Sequence, residues 1–313
     1  MRVNDHPATA RNLLRLLACL GGIVLLGCLL SPPLYWTGSW LAEIGVLPIV
    51  EGFPFHRYFS RSIQIATVLM LWPAFRWIGI RRLEPLGIQP NARWKSDLAL
   101  GFAVAAVPAI LMSVGLVWGG VYQIRPDWPA AGFLRIAGTA AAVSVIEEFL
   151  FRAVLLGLCL MAMRTVPAIL LGSLVFAVVH FLRPLKKASQ EPVTWLSGFE
   201  QIPLAFTSAP PWPLLGWGFA TLFLAGILLA GATVSTRSLF IAIGVHAGWI
   251  ATQQGLRLIA KFQPKPAELL PLVGDNVVSG AVPTGLLPLA MLAVTGIGIF
   301  FVVRHGKSLR RPA

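Results

Sequence analysis

Five side chains in this sequence combine acid, base and proton-transfer chemistry inside long apolar segments. Glu147, Glu148 and Arg152 form a cluster with 11 residues free of Asp, Glu, Lys and Arg on each side, and His180 and His246 lie in two later apolar runs. Each ionised group near the middle of a membrane span costs about 2.5–3.5 kcal/mol. We therefore expect these side chains to face a polar interior and to share one functional site.

The spacing within the cluster separates the two glutamates. Glu148 and Arg152 are four residues apart, so on a helix they share a face and form an ion pair. Glu147 is rotated by about 100° from Glu148 and points in another direction. A carboxylate in a low-dielectric site is a candidate general acid or base, because desolvation disfavours its charged form. The alternative is a buried ion pair that only fixes helix packing, which does not require the second glutamate.

Two glutamates with two histidines admit two chemistries. In one, glutamate activates a water molecule while the histidines position it or polarise a carbonyl group. In the other, His180, His246 and Glu147 bind zinc, which also produces a nucleophile near neutral pH. The sequence lacks His-Glu-x-x-His, the commonest zinc signature, and it lacks the Gly-x-Ser-x-Gly motif of serine nucleophiles. Ser144 is as easily a packing residue. We expect no cofactor, with zinc as the alternative.

Membrane-spanning helices are needed to position these side chains. The 313 residues are 57% apolar and 12% charged, about half the charged fraction of a soluble domain, which excludes a water-soluble fold and a disordered chain. We predict an all-α, polytopic transmembrane bundle of about eight spans of about 20 residues each. The charge-poor segments that place them are 16–42, 62–75, 98–124, 136–163 (interrupted by the charged cluster), 165–182, 201–236, 238–256 and 276–303.

Eight spans leave no room for a soluble domain, so we predict one integral membrane domain over 1–313, with its motif-bearing part at about 133–255. Residues 183–213, rich in proline and aromatic side chains, should lie along the membrane surface. The net charge of +13 comes mostly from cations at span ends, so we expect a lipid bilayer rather than nucleic acid as the partner. The positive-inside rule places both termini in the cytoplasm, at a plasma or inner membrane.

At the reactive residues the sequence resembles the CPBP family, which comprises type II CAAX prenyl endopeptidases and bacteriocin-processing membrane proteins. The resemblance covers roughly 133–255 and is carried by Glu-Glu-x-x-x-Arg at 147–152, by Phe-x-x-x-His at 176–180 and by a later histidine span. It implies an intramembrane glutamate protease. In that reading Glu147 is the water-activating base, Glu148 and Arg152 support it, and His180 and His246 hold the water or the developing oxyanion.

One position departs from the family pattern. The third motif is usually His-x-x-x-Asn, whose asparagine helps to stabilise the tetrahedral intermediate, but here Ile250 follows His246 by four residues. Trp249 and Gln253 lie on the same side of the helix and are the expected substitute donors. Loss of one oxyanion donor costs about 10²–10³ in rate. The departure therefore opens the alternative of a catalytically weak or inactive protein.

These residues lead to three functional hypotheses. The first is an intramembrane endopeptidase that hydrolyses a peptide bond of a membrane-anchored or hydrophobic peptide or protein. The second is a non-enzymatic membrane scaffold or chaperone with the same fold, which Ile250 favours. The third is a proton-coupled transporter that uses the same glutamate–histidine relay, although no internal repeat is visible in the sequence.

Overall fold

The computed structural model describes residues 6–78, 88–181, 192–207, 211–265, 267–275 and 283–308. The chain is mostly helical, which confirms the all-α membrane fold expected from the composition. In chain order the elements are α1 (His6–Glu43), α2 (Phe55–Ile78), α3 (Trp94–Trp118), β1 (Tyr122–Ile124), α4 (Gly132–Glu148), a π-helix (Phe149–Leu155), α5 (Leu156–Ala162), α6 (Thr165–Phe181), α7 (Ser197–Thr207), α8 (Trp212–Thr236), α9 (Phe240–Ile259), β2 (Ala260–Phe262) and α10 (Leu286–Ser308).

Within the described ranges, four helical segments are long and apolar enough to cross a membrane. They are Leu17–Glu43, Trp94–Trp118, Trp212–Thr236 and Leu286–His305. The described part of each predicted span overlaps a helix, and α2 continues beyond the charge-poor segment 62–75 to Ile78. The total of eight spans stays a prediction.

The boundaries of three predicted spans were wrong. The segment 201–236 is divided between α7 and α8, and α8 starts with Pro213 in its first turn, where proline's missing N–H breaks no helical bond. The helix expected over 98–124 ends at Trp118, and β1 follows. In the predicted span 276–303, α10 starts at Leu286 and the described residues 283–285 precede it, while 276–282 lie outside the described residues. Of the segment 183–213, the structure describes 192–207 and 211–213, and α7 includes Pro203. Its position at the membrane surface stays a prediction.

One compact unit of the chain contains α1, α2 and α7. Small residues bring its helices together, because a Cβ on Gly27 of α1 would lie 3.1 Å from the Cα of Ile63 on α2. Gly198 of α7 similarly lies against the backbone of Cys28 on α1. Close backbone approach through glycine is a common way for membrane helices to pack.

The second compact unit contains α3–α6 and α8–α10, and α3 packs closely against α9 within it. Gly101 on α3 and Gly244 and Gly248 on α9 lie where a Cβ would meet the backbone of the facing helix. The two helices run parallel, since Gly244 faces Leu98 and Gly248 faces Phe102. The glycines therefore let the two backbones touch.

Contacts at both ends hold the pair formed by α3 and α9. At the end where both helices begin, the side-chain amide of Asn91 donates to Asp97 at 2.7 Å and to Ser238 at 3.0 Å. At the other end β1 pairs antiparallel with β2, with Tyr122 opposite Phe262. These contacts at both ends fix α9, which carries His246, relative to α3.

Candidate active site

One face of α4 is buried and ends at the charged cluster. Its buried residues recur every four positions, as residues on one helix face do; they are Gly132, Ile136, Ala140, Ser144 and Glu148. Gly132, at the start of this face, contacts Leu258 near the end of α9. Glu148, at its end, contacts His246 near the start of α9. The two helices are therefore antiparallel, and the buried face of α4 brings Glu148 to α9.

The helix changes its hydrogen-bond pattern directly after the two glutamates. Phe149–Leu155 form a π-helix, at the end of which the N–H of Leu156 donates to the carbonyl of Phe151. Such turns are rare and occur frequently at functional sites. The sequence predicted a regular helix here, so the π-helix is a correction to the local geometry.

Glu148 is fully buried and has two charged or polar partners. Its Oε2 lies 3.2 Å from Nε of Arg152, and its Oε1 lies 2.8 Å from Nδ1 of His246. The ion pair expected from the four-residue spacing is therefore present. The carboxyl group thus faces a cation on one side and Nδ1 of His246 on the other, so it orients the histidine ring.

Glu147 faces the other nitrogen of the same histidine. Its Oε2 lies 3.9 Å from Nε2 of His246 and 3.6 Å from Nε2 of His180. The side chain of Glu147 is 25% exposed, whereas that of Glu148 is 0% exposed. The two glutamates thus point in different directions, as their helical offset predicted, and they meet His246 from opposite sides of its ring.

The partners of the two Nδ1 atoms indicate which nitrogen of each histidine carries the hydrogen. Nδ1 of His180 lies 2.7 Å from the carbonyl oxygen of Phe176, which only accepts, so Nδ1 carries the hydrogen. Nδ1 of His246 faces the Glu148 carboxylate and is assigned the same way. In the neutral rings, both Nε2 lone pairs then face the carboxylate of Glu147.

Phe176 contributes an aromatic ring to the site. Its centroid lies 4.4 Å from that of His180, 6.3 Å from that of His246 and 5.1 Å from that of Phe151. The guanidinium carbon of Arg152 lies 4.3 Å from the same centroid. The sequence pointed to Phe176 only through its four-residue spacing from His180, and the contact with Arg152 had no signal in the sequence.

The segment that carries these side chains matches a known protein family. Residues 126–252 match the family described as type II CAAX prenyl endopeptidase Rce1-like. This segment is similar to Rce1-like endopeptidases. The match agrees with the resemblance expected from the motifs and supports an intramembrane protease-type function for an integral membrane protein. No curated protein and no solved structure matches the chain.

The side chain at position 250 of the matched segment offers no hydrogen-bond donor. Ile250 is buried, and so are Trp249 and Gln253. Nε1 of Trp249 and Nε2 of Gln253 have no hydrogen-bond partner within the described part of the chain. The Trp249 ring packs in the apolar core shared by α3, α8, α9 and α10. Among the contacts of the described residues, none joins either side chain to Glu147. Their role as substitute donors therefore stays a prediction.

Metal-assisted and serine-based chemistry would each need a different arrangement of side chains. Across the part of the chain that the structure describes, no group of three or more His, Cys, Asp or Glu side chains is arranged to hold a metal ion. The hydroxyl of Ser144 donates to the carbonyl of Ala141 at 3.2 Å, which fits a residue that packs within its helix bundle.

Proposed function

We propose that this protein is an intramembrane endopeptidase in which Glu147 activates a water molecule. The observation that carries the proposal is the convergence of three acceptor atoms: Oε2 of Glu147 and the two Nε2 atoms of His180 and His246. Separations of 3.6 and 3.9 Å are too long for direct hydrogen bonds. They suit a bridging water, which donates two hydrogens.

The geometry supports a mechanism without a covalent acyl-enzyme. Glu147 removes a proton from the water, and the hydroxide adds to the carbonyl carbon of the scissile peptide bond. The resulting tetrahedral oxyanion collapses, the C–N bond breaks, and the protonated Glu147 returns its proton to the leaving amine. The products are a new carboxyl terminus and a new amino terminus, and one water molecule is consumed.

The two histidines have different partners, and this difference supports different roles. Nδ1 of His180 faces a neutral carbonyl oxygen, so a neutral ring that accepts a hydrogen from the water fits there. Nδ1 of His246 faces the carboxylate of Glu148, which compensates the positive charge of this ring when Nε2 is also protonated. In that protonated form, which needs one proton more than the neutral ring described above, His246 donates Nε2–H to the oxyanion.

The proposed substrate is a membrane-associated peptide or protein. The side chain of Glu147 is partly exposed while Glu148 and Arg152 are buried, so Glu147 is the carboxylate that a substrate reaches. The family description supports a peptide bond close to a lipid environment. We propose no metal for the reaction. Stoichiometric zinc in the purified protein that disappears on His180→Ala or His246→Ala would contradict this part of the proposal.

Mass spectrometry of peptide termini tests the proposed activity. Membranes from cells with the wild-type protein are compared with membranes carrying Glu147→Gln, which keeps the size of the side chain and removes the base. Glu51→Gln, at an exposed position, is the matched control. We expect a set of new termini in the wild type and the control that is absent from Glu147→Gln. Equal profiles at equal protein levels would contradict the proposal.

The buried isoleucine at position 250 favours one second function, a scaffold or chaperone without proteolysis. In that case Glu147→Gln would preserve function, whereas disruption of the helix faces would abolish it. Ile250→Asn separates the two. If a missing oxyanion donor only slows a protease, the asparagine should raise the cleavage rate, by up to about 10²-fold. A scaffold would show no cleavage with either residue.

We further propose that both termini lie in the cytoplasm. Arg93 and Lys95 at the start of α3 and Arg237 before the start of α9 lie at one end of the parallel pair, which supports that end as the cytoplasmic one. A membrane-impermeant thiol reagent tests this in a cysteine-free background. Lys261→Cys, at the opposite end, should react in intact cells, whereas Lys95→Cys should react only after permeabilisation. The reverse pattern would invert the orientation.

A further inference from the structure

The guanidinium group of Arg152 is buried and has more N–H donors than there are acceptors around it. Arg152 is 3% exposed, and its Nε pairs with Glu148 at 3.2 Å. Nη1 and Nη2 have no hydrogen-bond partner among the residues that the structure describes. An arginine carries five N–H donors in a planar fork. Burial of a charged group is costly unless its surroundings compensate it. The single ion-pair contact leaves most of this cation without a hydrogen-bonded partner.

The ring of Phe176 lies where it compensates the charge of Arg152. The guanidinium carbon is 4.3 Å from the centroid of Phe176, compared with 5.8 Å from that of Phe151. The face of an aromatic ring carries negative charge density that attracts a cation, and the attraction is stronger when water is excluded. Phe176 is 3% exposed, so water does not screen this contact.

Phe176 contacts His180 directly and is connected to His246 through Arg152 and Glu148. Its carbonyl oxygen accepts from Nδ1 of His180 at 2.7 Å, and its ring lies against the His180 ring. On its other side, Arg152 pairs with Glu148, and Glu148 in turn contacts His246. A single residue of α6 therefore connects the histidine of its own helix to the pair that orients the histidine of α9.

We propose that Phe176 is a positioning residue that holds the Arg152 guanidinium on its ring face and so fixes the Glu148–His246 pair opposite His180. The catalytic part of this inference rests on the proposed function, since the position of His246 affects the rate only if the histidines act with Glu147. The competing explanation is that Phe176 fills space as an apolar side chain. In that case the electron density of its ring has no effect.

Fluorinated phenylalanines separate these two explanations, because fluorine withdraws electron density from the ring with little change of shape. Phe176 is replaced by its mono-, di- and trifluorinated forms in the full-length protein, and cleavage of a peptide made from the mapped termini is measured. We expect kcat to fall with each fluorine, to about 10-fold below wild type for the trifluorinated ring, with KM changed by less than about twofold. The same series at the exposed Phe301 is the control and should leave kcat unchanged. An unchanged kcat in the Phe176 series would overturn the proposal.

A second measurement does not depend on hydrolysis. Diethylpyrocarbonate modifies accessible imidazole rings, and peptide mass spectrometry gives the rate for each histidine. With trifluorinated Phe176 we expect the rate at His246 to rise by about threefold or more, and the rate at His305 to stay constant. If wild type cleaves nothing but His246 responds, the proposed function fails while the positioning contact stands. If wild type cleaves and neither kcat nor the His246 rate responds, the contact fails while the proposed function stands.

Discussion

Replacement of Gly248 by alanine should move His246 without touching a reacting group. A Cβ at position 248 would lie 2.7 Å from the carbonyl oxygen of Phe102 and 3.1 Å from the Cβ of Ala105. Favourable contact between heavy atoms begins at about 3.5 Å, so α9 must move away from α3 by roughly 0.8 Å at this level. His246 is two residues away, about 200° around the helix. It lies on the far side of α9, and the movement carries it toward α4.

This displacement is large compared with the tolerance of the site. Nδ1 of His246 lies 2.8 Å from Oε1 of Glu148, so the ring cannot advance by roughly 0.8 Å without turning or pushing the carboxylate aside. A misplacement of about 1 Å can cost about 10²-fold in rate, and overpacking typically costs about 1–3 kcal/mol of stability. We therefore expect Gly248→Ala to lower the cleavage rate by about 10²-fold and to lower the thermal unfolding midpoint.

Gly255, on the same helix, provides the matched control. Among the described residues, a Cβ there would meet only the Phe133 ring, at 3.7 Å, which is an ordinary contact. Alanine is also the better helix former by about 1 kcal/mol. Gly255→Ala should therefore keep wild-type cleavage and be at least as stable as wild type. The assay is the rate of appearance of wild-type-dependent termini at equal protein levels, with thermal unfolding measured in parallel. Full activity of Gly248→Ala would refute the reasoning that α3 sets the position of His246.

Three further predictions concern stability. Arg152→Ala should destabilise the protein by about 3–5 kcal/mol and inactivate it, because a buried carboxylate is left unpaired; normal thermal stability and membrane abundance would argue against the ion pair. Asn91→Ala removes the two hydrogen bonds that its amide donates and the one that its Oδ1 accepts from the N–H of Arg93. The change should cost about 1–3 kcal/mol, whereas an unchanged unfolding midpoint would show that these bonds contribute little. Burial raises the pKa of Tyr122 to about 12, and tyrosine ionises near 10 when unfolded. The folded protein should therefore lose about 3 kcal/mol between about pH 10 and 12 relative to Tyr122→Phe, and equal pH profiles of the two proteins would refute this.

The sequence contained the local part of the site because helical periodicity is a local property. The four-residue spacing of Glu148 and Arg152 predicted their ion pair, which is present at 3.2 Å. The offset between adjacent residues likewise predicted that Glu147 and Glu148 point in different directions. Because charge is costly inside a membrane, we expected His180 and His246 to lie beside the Glu147–Arg152 cluster. The structure brings all five side chains together.

Local periodicity failed where the chain leaves the regular helix. Apolar content alone joined α7 to α8 in the predicted span 201–236, although the structure separates them. The π-helix at Phe149–Leu155 also has no counterpart in a pattern of apolar residues. A change from the α-helical to the π-helical hydrogen-bond pattern depends on how the helix packs against its neighbours. The length of an uncharged segment contains no information about that packing.

The sequence by itself determined that the chain is a helical membrane protein with an acid, base and histidine cluster at its centre. Only the tertiary structure decided which nitrogen of His246 meets which glutamate, that the Phe176 ring lies over Arg152, and that α3 and α9 run parallel with Gly248 against Phe102. These contacts join residues far apart in the chain. They depend on which helices become neighbours and how closely their backbones approach, and both are set by packing over the whole bundle rather than by any local pattern.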